Sequence, residues 1–127
     1  MRILHTSDWH IGKRLYNHDM EELHRQFLDW LLETIREQQV EVLLVAGDVF
    51  DTGYPSNASL RLYYRFLTRL QDTPCRQVII TGGNHDSVST LEAPREVLQF
   101  LNVHVVGGAG EDMQRLLVPL YDEAGRE

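Results

Sequence analysis

The sequence is poor in the features that mark secreted and membrane proteins. It contains a single cysteine, Cys75, which cannot form an internal disulfide bond. The first residues lack the long apolar stretch of a signal peptide, and no later apolar run has the length of a membrane span. These absences favour a reducing, cytoplasmic location.

An excess of basic residues is also missing. The 12 lysines and arginines are outnumbered by 19 aspartates and glutamates, so the formal net charge is −7. Proteins that bind nucleic acid through charge usually show a basic face, and this composition argues against such broad attraction. Bound divalent cations would nevertheless cancel negative charge where an anionic substrate must approach. Acidity therefore makes nucleic acid a less favoured partner without excluding it.

The sequence does contain enough hydrophobic residues for one folded domain. The chain has 127 residues, of which 43% are hydrophobic, so it can build one core but hardly two. Low-complexity tracts and strict internal repeats are absent from the sequence. We therefore expect one globular domain over residues 1–127.

Short apolar runs alternate with amphipathic helical patterns along the chain. Strands are predicted at residues 3–6, 40–46, 77–81 and 103–106. Helices are predicted at residues 18–39, between a cap at Ser56 or Asn57 and a stop at residues 72–74, and at residues 92–101. This order implies an α/β fold with a mostly parallel sheet and crossover helices. In such sheets, sites form beyond the carboxyl ends of the strands.

Polar clusters follow three of the predicted strands directly. Asp8 and His10 follow the first strand, and Asp48 and Asp51 follow the second. The third strand is followed by GNHD at residues 83–86, where paired glycines let the backbone turn tightly. If side chains alternate with period two, Asp8 and His10 project to the same side and can share one cation. The topology predicts that all three clusters meet at one edge of the sheet.

The chemistry of these residues favours divalent metal ions. Two carboxylates about 4 Å apart repel by about 4 kcal/mol at an effective dielectric constant of about 20, and a cation turns that cost into binding. Oxygen and imidazole ligands without cysteine suit Mn, Fe or Zn better than a structural zinc site. Two metals about 3.5 to 4 Å apart can activate water and clamp a phosphoryl group. Asp48, from the middle cluster, is the natural bridge between them.

Three motifs in a fixed order give the sequence a family resemblance. DxH at residues 8–10, GDxxD at residues 47–51 and GNHD at residues 83–86 resemble the first three motifs of the calcineurin-like metallophosphoesterases. The resemblance covers residues 2–106. It implies the N-terminal half of a four-layer α-β-β-α sandwich, in which helices flank two sheets. The strings ILHTSDWHIG, VAGDVFDTGYPS and GGNHDS are most similar to the DNA repair nucleases of the family.

The resemblance implies two metal ions and names their ligands in this chain. Asp8 and His10 would ligate the first ion, Asp48 would bridge both, and Asn84 would ligate the second. Manganese is the metal that these nucleases imply. The same resemblance implies exonuclease and endonuclease action on DNA ends and hairpins, by a homodimer that works with an ATPase subunit.

Catalysis would fall to His85 and Asp86 of the third motif. His85 would face the scissile phosphate, where it would stabilise developing charge or protonate the leaving oxygen. Asp86 and Asp51 are better interpreted as orienting the ligands, a role whose loss usually costs about 10-fold to 100-fold. A basic loop offers candidate contacts to DNA phosphate, although a solvated loop is the simpler interpretation: Lys13, Arg14, Tyr16 and His18.

The sequence departs from the family pattern in its later histidines. That pattern needs three further histidines, one alone and two in a GHxH motif. After Asp86 the sequence has only His104, inside an apolar strand without that motif. Residues 1–127 are therefore expected to be a partial nuclease domain that stops before the last ligand motifs. Such a chain would hold about half of the metal ligands.

Two alternatives remain open at this point. The motifs define the chemistry better than the substrate, so a metallophosphoesterase acting on a small phosphodiester or phosphoprotein is also compatible. A catalytically incomplete module for dimerisation or partner binding is the other alternative. The helix after residue 56 has apolar residues that could serve a dimer, namely Leu60, Leu62, Tyr63 and Phe66. The histidines outside the motifs are expected to be structural or solvent-facing: His5, His24 and His104.

Overall fold

The computed structural model describes residues 1–16, 18–83, 86–107, 117–122 and 124–127. The strands are β1 (Ile3–Ser7), β2 (Arg14–Leu15), β3 (His18–Asp19), β4 (Val42–Ala46), β5 (Gln77–Thr81) and β6 (Val103–Val106). The helices are α1 (Glu21–Glu37), α2 (Asn57–Arg69), α3 (Val88–Glu92) and α4 (Arg95–Gln99), and a 3-10 turn at Leu70–Asp72 follows α2.

Four strands form a parallel sheet in the order β1-β4-β5-β6, which confirms the predicted α/β class. Its register is continuous, since Leu44 of β4 lies between His5 of β1 and Ile79 of β5. Each strand lies beside its predecessor in this sheet. Because right-handed crossovers that all advance in one direction carry their helices to one face, this order predicts a sheet with helices on a single side.

The helix-covered face of the sheet is buried except at β1, where Leu4 and Thr6 are half-buried. The residues of β4, β5 and β6 on this face are at most 3% exposed: Leu43, Val45, Val78, Ile80, Val103 and Val105. They form one hydrophobic cluster with the inner residues of α1, such as Leu32, and of α2, such as Phe66. At about 25 cal/mol per Å² of apolar surface removed from water, this cluster is the main source of stability.

The opposite face of the sheet is only partly covered. Leu44, Ile79 and His104 are neighbours in register there and remain half-buried, while His5 is exposed. Residues 117–122 shield the amino end of this face. There the Gln77 side chain donates to the Pro119 carbonyl at 2.8 Å and accepts from the Tyr121 N–H at 2.8 Å.

The first helix begins later than predicted. α1 starts at Glu21, whose N–H is capped by the Asp19 carboxylate at 2.9 Å, and it ends at Glu37. His18, predicted inside this helix, lies in β3, which pairs with β2 as an antiparallel hairpin. A helical period could not reveal a hairpin this short, because its strands have two residues each.

The second helix follows its predicted cap. The Ser56 hydroxyl accepts a hydrogen bond from the Ser59 N–H at 3.1 Å, as an N-cap residue does. Leu62, Tyr63 and Phe66 are at most 8% exposed and belong to the core. Of the apolar residues offered for a dimer, these three are therefore used in packing within the chain, and Leu60 is half-buried.

The third predicted helix, at residues 92–101, corresponds to α4 (Arg95–Gln99), and the short helix α3 (Val88–Glu92) before it was not predicted. α3 begins after a cap at Ser87 and ends at Glu92, and α4 begins at Arg95. Pro94 separates them, because proline has no N–H to donate and cannot continue the ladder of α3. None of the described helices is long and apolar enough to cross a membrane.

The single cysteine lies in the core. Burial raises the pKa of Cys75 to about 11, and its thiol donates to the Gln77 carbonyl at 3.4 Å. A thiol with so little thiolate at neutral pH is a poor nucleophile. Cys75 therefore acts as a small apolar residue, as a buried free cysteine usually does.

Candidate metal centre

The first polar cluster follows β1 in a turn of left-handed backbone. Asp8 has φ 55° and His10 has φ 48°, a region that costs residues other than glycine about 1–3 kcal/mol. Trp9 between them turns inward, is 5% exposed, and packs edge-on against Phe66. The two polar side chains thus share a side because of this turn, and the predicted strand alternation is not the cause, since β1 ends at Ser7.

Backbone hydrogen bonds join this turn to the loop after β4. The Asp8 N–H donates to the Gly47 carbonyl at 3.1 Å, and the His10 N–H donates to the Asp48 carbonyl at 2.9 Å. Gly47 and Asp48 also have positive φ values, 80° and 50°. The strained loop residues are therefore held by an extension of the β1–β4 pairing beyond the sheet.

The structure brings Asp8, His10 and Asp48 together. One ligand atom from each residue lies within 4.8 Å of the other two, as the sequence predicts for one edge of the sheet. His10 Nε2 is 3.7 Å from an Asp8 oxygen, while His10 Nδ1 is 3.2 Å from an Asp51 oxygen. The imidazole of His10 therefore lies between two carboxylates, with Asp8 on its Nε2 side and Asp51 on its Nδ1 side.

The donor set of this cluster fits a divalent cation. Two carboxylates and one imidazole supply oxygen and nitrogen ligands without sulfur, which suits Mn, Fe or Zn. Bonds of about 2.0–2.2 Å place two ligands of one ion at most about 4.4 Å apart. The present spacing needs only a few tenths of an ångström of side-chain movement to reach that geometry.

The Asp86 carboxylate holds the backbone of the loop between Asp48 and Asp51 in place. It accepts backbone N–H bonds from Gly83 at 2.9 Å, Val49 at 3.0 Å and Phe50 at 2.9 Å. These three bonds tie the loop after β5 to the loop after β4. They fit the orienting role expected of Asp86 rather than direct contact with a reacting group.

Gly83 allows the two loops to approach closely. A Cβ atom at this position would lie 2.5 Å from both the backbone nitrogen and a carboxylate oxygen of Asp48. Neither distance is tolerated by a real side chain, so the third motif needs glycine here for the Asp48 carboxylate to keep its position. Asn84 and His85, the predicted second-ion ligand and phosphate-facing residue, lie outside the described residues.

The candidate substrate contacts stand on the β2–β3 hairpin. Lys13, Arg14, Tyr16 and His18 are all exposed, and Tyr16 is 88% exposed. None of them belongs to the three-residue cluster. The Lys13 N–H donates to the His10 carbonyl at 3.1 Å, so the hairpin starts directly beside the candidate ligands.

His24 lies near the site, although the sequence led us to expect a structural or solvent-facing histidine. Burial lowers its pKa, whereas the nearby charges of Asp19 and Asp51 raise it. Its Nδ1 atom is buried without a hydrogen-bond partner among the described residues. The only sequence signal was its position one turn into the helix that follows the first motif.

The chain is similar to known proteins over nearly its whole length. The chain is similar to the SbcD protein of the nuclease SbcCD in Escherichia coli, with 53% identity over 91% of this chain. The SbcD proteins of Rhodobacter capsulatus and Bacillus subtilis are 48% and 35% identical, over 99% and 97% of this chain. The matches cover 29% to 33% of these relatives, so the chain spans about a third of their length.

A family model agrees with these relatives and with the geometry. The model described as calcineurin-like phosphoesterase matches residues 1–121, and this range contains every motif that supplies the cluster. The cluster lies at the carboxyl edge of the parallel sheet, and its three residues come from the first two motifs. The chain therefore belongs to the calcineurin-like phosphoesterase family.

Proposed function

We propose that this chain is the metal-binding, N-terminal part of a DNA nuclease that hydrolyses phosphodiester bonds with two divalent ions. The observation that carries the proposal is the convergence of Asp8, His10 and Asp48 beyond the sheet. The relatives that carry the name nuclease support a nucleic acid as the substrate, and DNA is the one we propose.

The chain's own residues supply binding and orientation. Asp8 and His10 would hold the first ion, Asp48 would be shared by both ions, and Asn84 would hold the second. Asp51 orients His10 through the contact at Nδ1. When bound, the ions lower the pKa of a water molecule and neutralise charge on the phosphoryl oxygens.

The third motif provides the remaining group of the mechanism. His85 stabilises the charge that develops on the phosphate, or gives a proton to the leaving oxygen. Asp86 keeps the two loops in register through its three backbone hydrogen bonds. Lys13, Arg14, Tyr16 and His18 contact DNA from the hairpin, where their exposure leaves them accessible.

The domain is completed by polypeptide that this chain does not contain. The chain spans about a third of its relatives, and it lacks the GHxH motif of the family pattern. The half-covered face of the sheet, with Leu44 and Ile79, suits the second sheet of the sandwich. We assign the missing histidine ligands to that part of the protein.

The setting of the proposed activity extends the family resemblance of the three sequence motifs. The protein acts on DNA ends and hairpins in repair, recombination and replication, with Mn²⁺ as the metal. It works as a homodimer with an SbcC-like ATPase subunit in the cytoplasm.

Hydrolysis assays with two substrates test this proposal. The chain, and in parallel the continuous reading frame that contains it, are given linear duplex DNA or a chromogenic phosphodiester with Mn²⁺. We expect the longer protein to cleave DNA and its Asp48→Ala variant to lose at least 100-fold in rate. Cleavage of the small ester alone would favour the second phosphoesterase candidate. Cleavage of neither substrate would favour a binding module.

A further inference from the structure

A groove runs between α1 and α2. Two cavities of about 130 and 110 Å³ form it, and Arg25, Leu62 and Arg65 line both of them. The floor consists of apolar side chains that are at most 8% exposed: Leu28, Leu62 and Phe66. The groove contains none of the candidate metal ligands, so the proposed nuclease chemistry does not account for it.

The walls of this groove are basic in a chain whose net charge is −7. Four arginines face two carboxylates, Glu21 and Asp29, which leaves a local charge of +2. Arg25 is paired with Glu21 at 3.1 Å, and Asp29 is paired with an arginine of α2. The four arginines are Arg25, Arg61, Arg65 and Arg69.

Two of the arginines are available for a partner. Arg61 and Arg65 are exposed and make no ion pair with any residue that the structure describes. They lie four residues apart on α2, and Arg69 follows after four more. Each step is about 6 Å along the helix axis. The groove therefore has arginines on one wall that follow one another about every 6 Å along the helix axis.

We propose that this groove docks an acidic amphipathic helix of a partner protein. Carboxylates four residues apart on a second helix have the same rise of about 6 Å, so one helix can pair with successive arginines. Apolar side chains of that helix would rest over the floor at Leu62 and Phe66, as in other helix-in-groove complexes. This inference does not depend on the proposed nuclease function.

DNA fits the same groove less well. The apolar floor offers nothing to a phosphodiester backbone, whereas it suits a leucine side chain. Glu21 and Asp29 would also repel a continuous line of phosphates, while a helix can place its carboxylates away from them.

Binding of a synthetic peptide tests the proposal. The probe is a labelled 15-residue helical peptide with glutamate at every fourth position and leucine on the adjacent stripe, and a scrambled peptide has the same composition. Fluorescence anisotropy at low salt measures both peptides with the full chain. The test variant is Arg61→Gln with Arg65→Gln. The matched control is Arg36→Gln with Arg126→Gln, which removes the same charge outside the groove.

We expect the ordered peptide to bind, and the groove variant to weaken binding about tenfold, because two ion pairs are lost. The control variant should bind within about twofold of the parent, and an unchanged melting temperature in both variants shows that they fold. Equal binding of the scrambled peptide, or an equal loss in the control, would overturn the proposal. The proposal would also be overturned if a duplex oligonucleotide bound more tightly than the peptide and the groove variant lost that binding.

Discussion

The two faces of the sheet differ sharply although they share the same strands. On one face Leu43 and Ile80 have no exposure at all, because they belong to one hydrophobic cluster with residues of the helices. On the other face, one residue along each strand, Leu44 and Ile79 are half-buried. The covered face is also the more uniformly apolar of the two, because Gln77 and His104 lie on the other face beside Leu44 and Ile79.

The candidate site lies at the edge of the sheet, and buried residues of the helix-covered side hold its loops. Trp9, Val49 and Phe50 are at most 5% exposed and anchor the loops that bear the ligands. Asp8, in contrast, has a side chain that is 63% exposed. The loops that bear the ligands are therefore held in place by contacts with the helix-covered side of the sheet.

Two leucines test the difference between the faces most strongly. Leu43→Ala removes a fully buried side chain and should cost about 2–5 kcal/mol of unfolding free energy, because it leaves a cavity. Leu44→Ala, its neighbour on the open face, should cost about 1 kcal/mol or less. Urea titration of both variants measures the two losses. Equal losses would show that the open face is packed as tightly as the covered one.

Gly83→Ala tests whether the support of the site depends on close approach of its loops. The new Cβ would collide with Asp48, so we expect a loss of about 1–3 kcal/mol and a weaker response to Mn²⁺. Gly125→Ala is the comparison for the response to Mn²⁺: no atom lies within 4 Å of a new Cβ there, so any cost comes from its φ of 77° and the response to Mn²⁺ should be unchanged. Urea titration with and without Mn²⁺ measures both. A Gly83 variant that responds to Mn²⁺ as the Gly125 variant does would contradict the close approach.

Asp86→Asn tests the bracing of the ligand loops directly. The amide would turn an N–H₂ group toward one of the backbone donors that Asp86 now accepts, which should cost about 1–3 kcal/mol. Metal affinity should fall about 10-fold to 100-fold, as for other groups that orient ligands. Calorimetric titration with Mn²⁺ measures the affinity. Unchanged affinity would mean that the loops keep their geometry without this carboxylate.

Tyr63→Phe probes the covered face with the smallest expected effect. The Tyr63 hydroxyl is buried, has no hydrogen-bond partner among the described residues, and lies where burial raises its pKa. Its removal should leave stability unchanged or raise it by up to about 1 kcal/mol, since a buried unsatisfied group is a cost. Thermal unfolding beside the parent protein checks this. A clear loss of stability would reveal a bond to this hydroxyl.

Much of this architecture could be predicted from the sequence. Apolar runs located the four sheet strands, and their order placed Asp8, His10 and Asp48 at one edge. The β2–β3 hairpin was not predicted, because two-residue strands have no measurable period. The short helix α3 before Pro94 was also not predicted.

The support of the site was harder to predict than its ligands. The left-handed φ values of Asp8, His10 and Asp48 depend on hydrogen bonds between distant loops, which no local pattern records. The position of His24 beside the site likewise depends on how α1 packs. Motifs identify residue types, whereas tertiary contacts decide how those residues are held.

Calorimetric titration of the chain with Mn²⁺, beside its Asp48→Asn variant, measures whether Asp8, His10 and Asp48 bind a metal ion. Asp72→Asn is the matched control, because Asp72 is exposed and lies outside the cluster. We expect the parent and the control to bind Mn²⁺ alike and the Asp48 variant to bind at least 10-fold more weakly. Equal affinity in all three proteins would show that Asp8, His10 and Asp48 do not form a metal site.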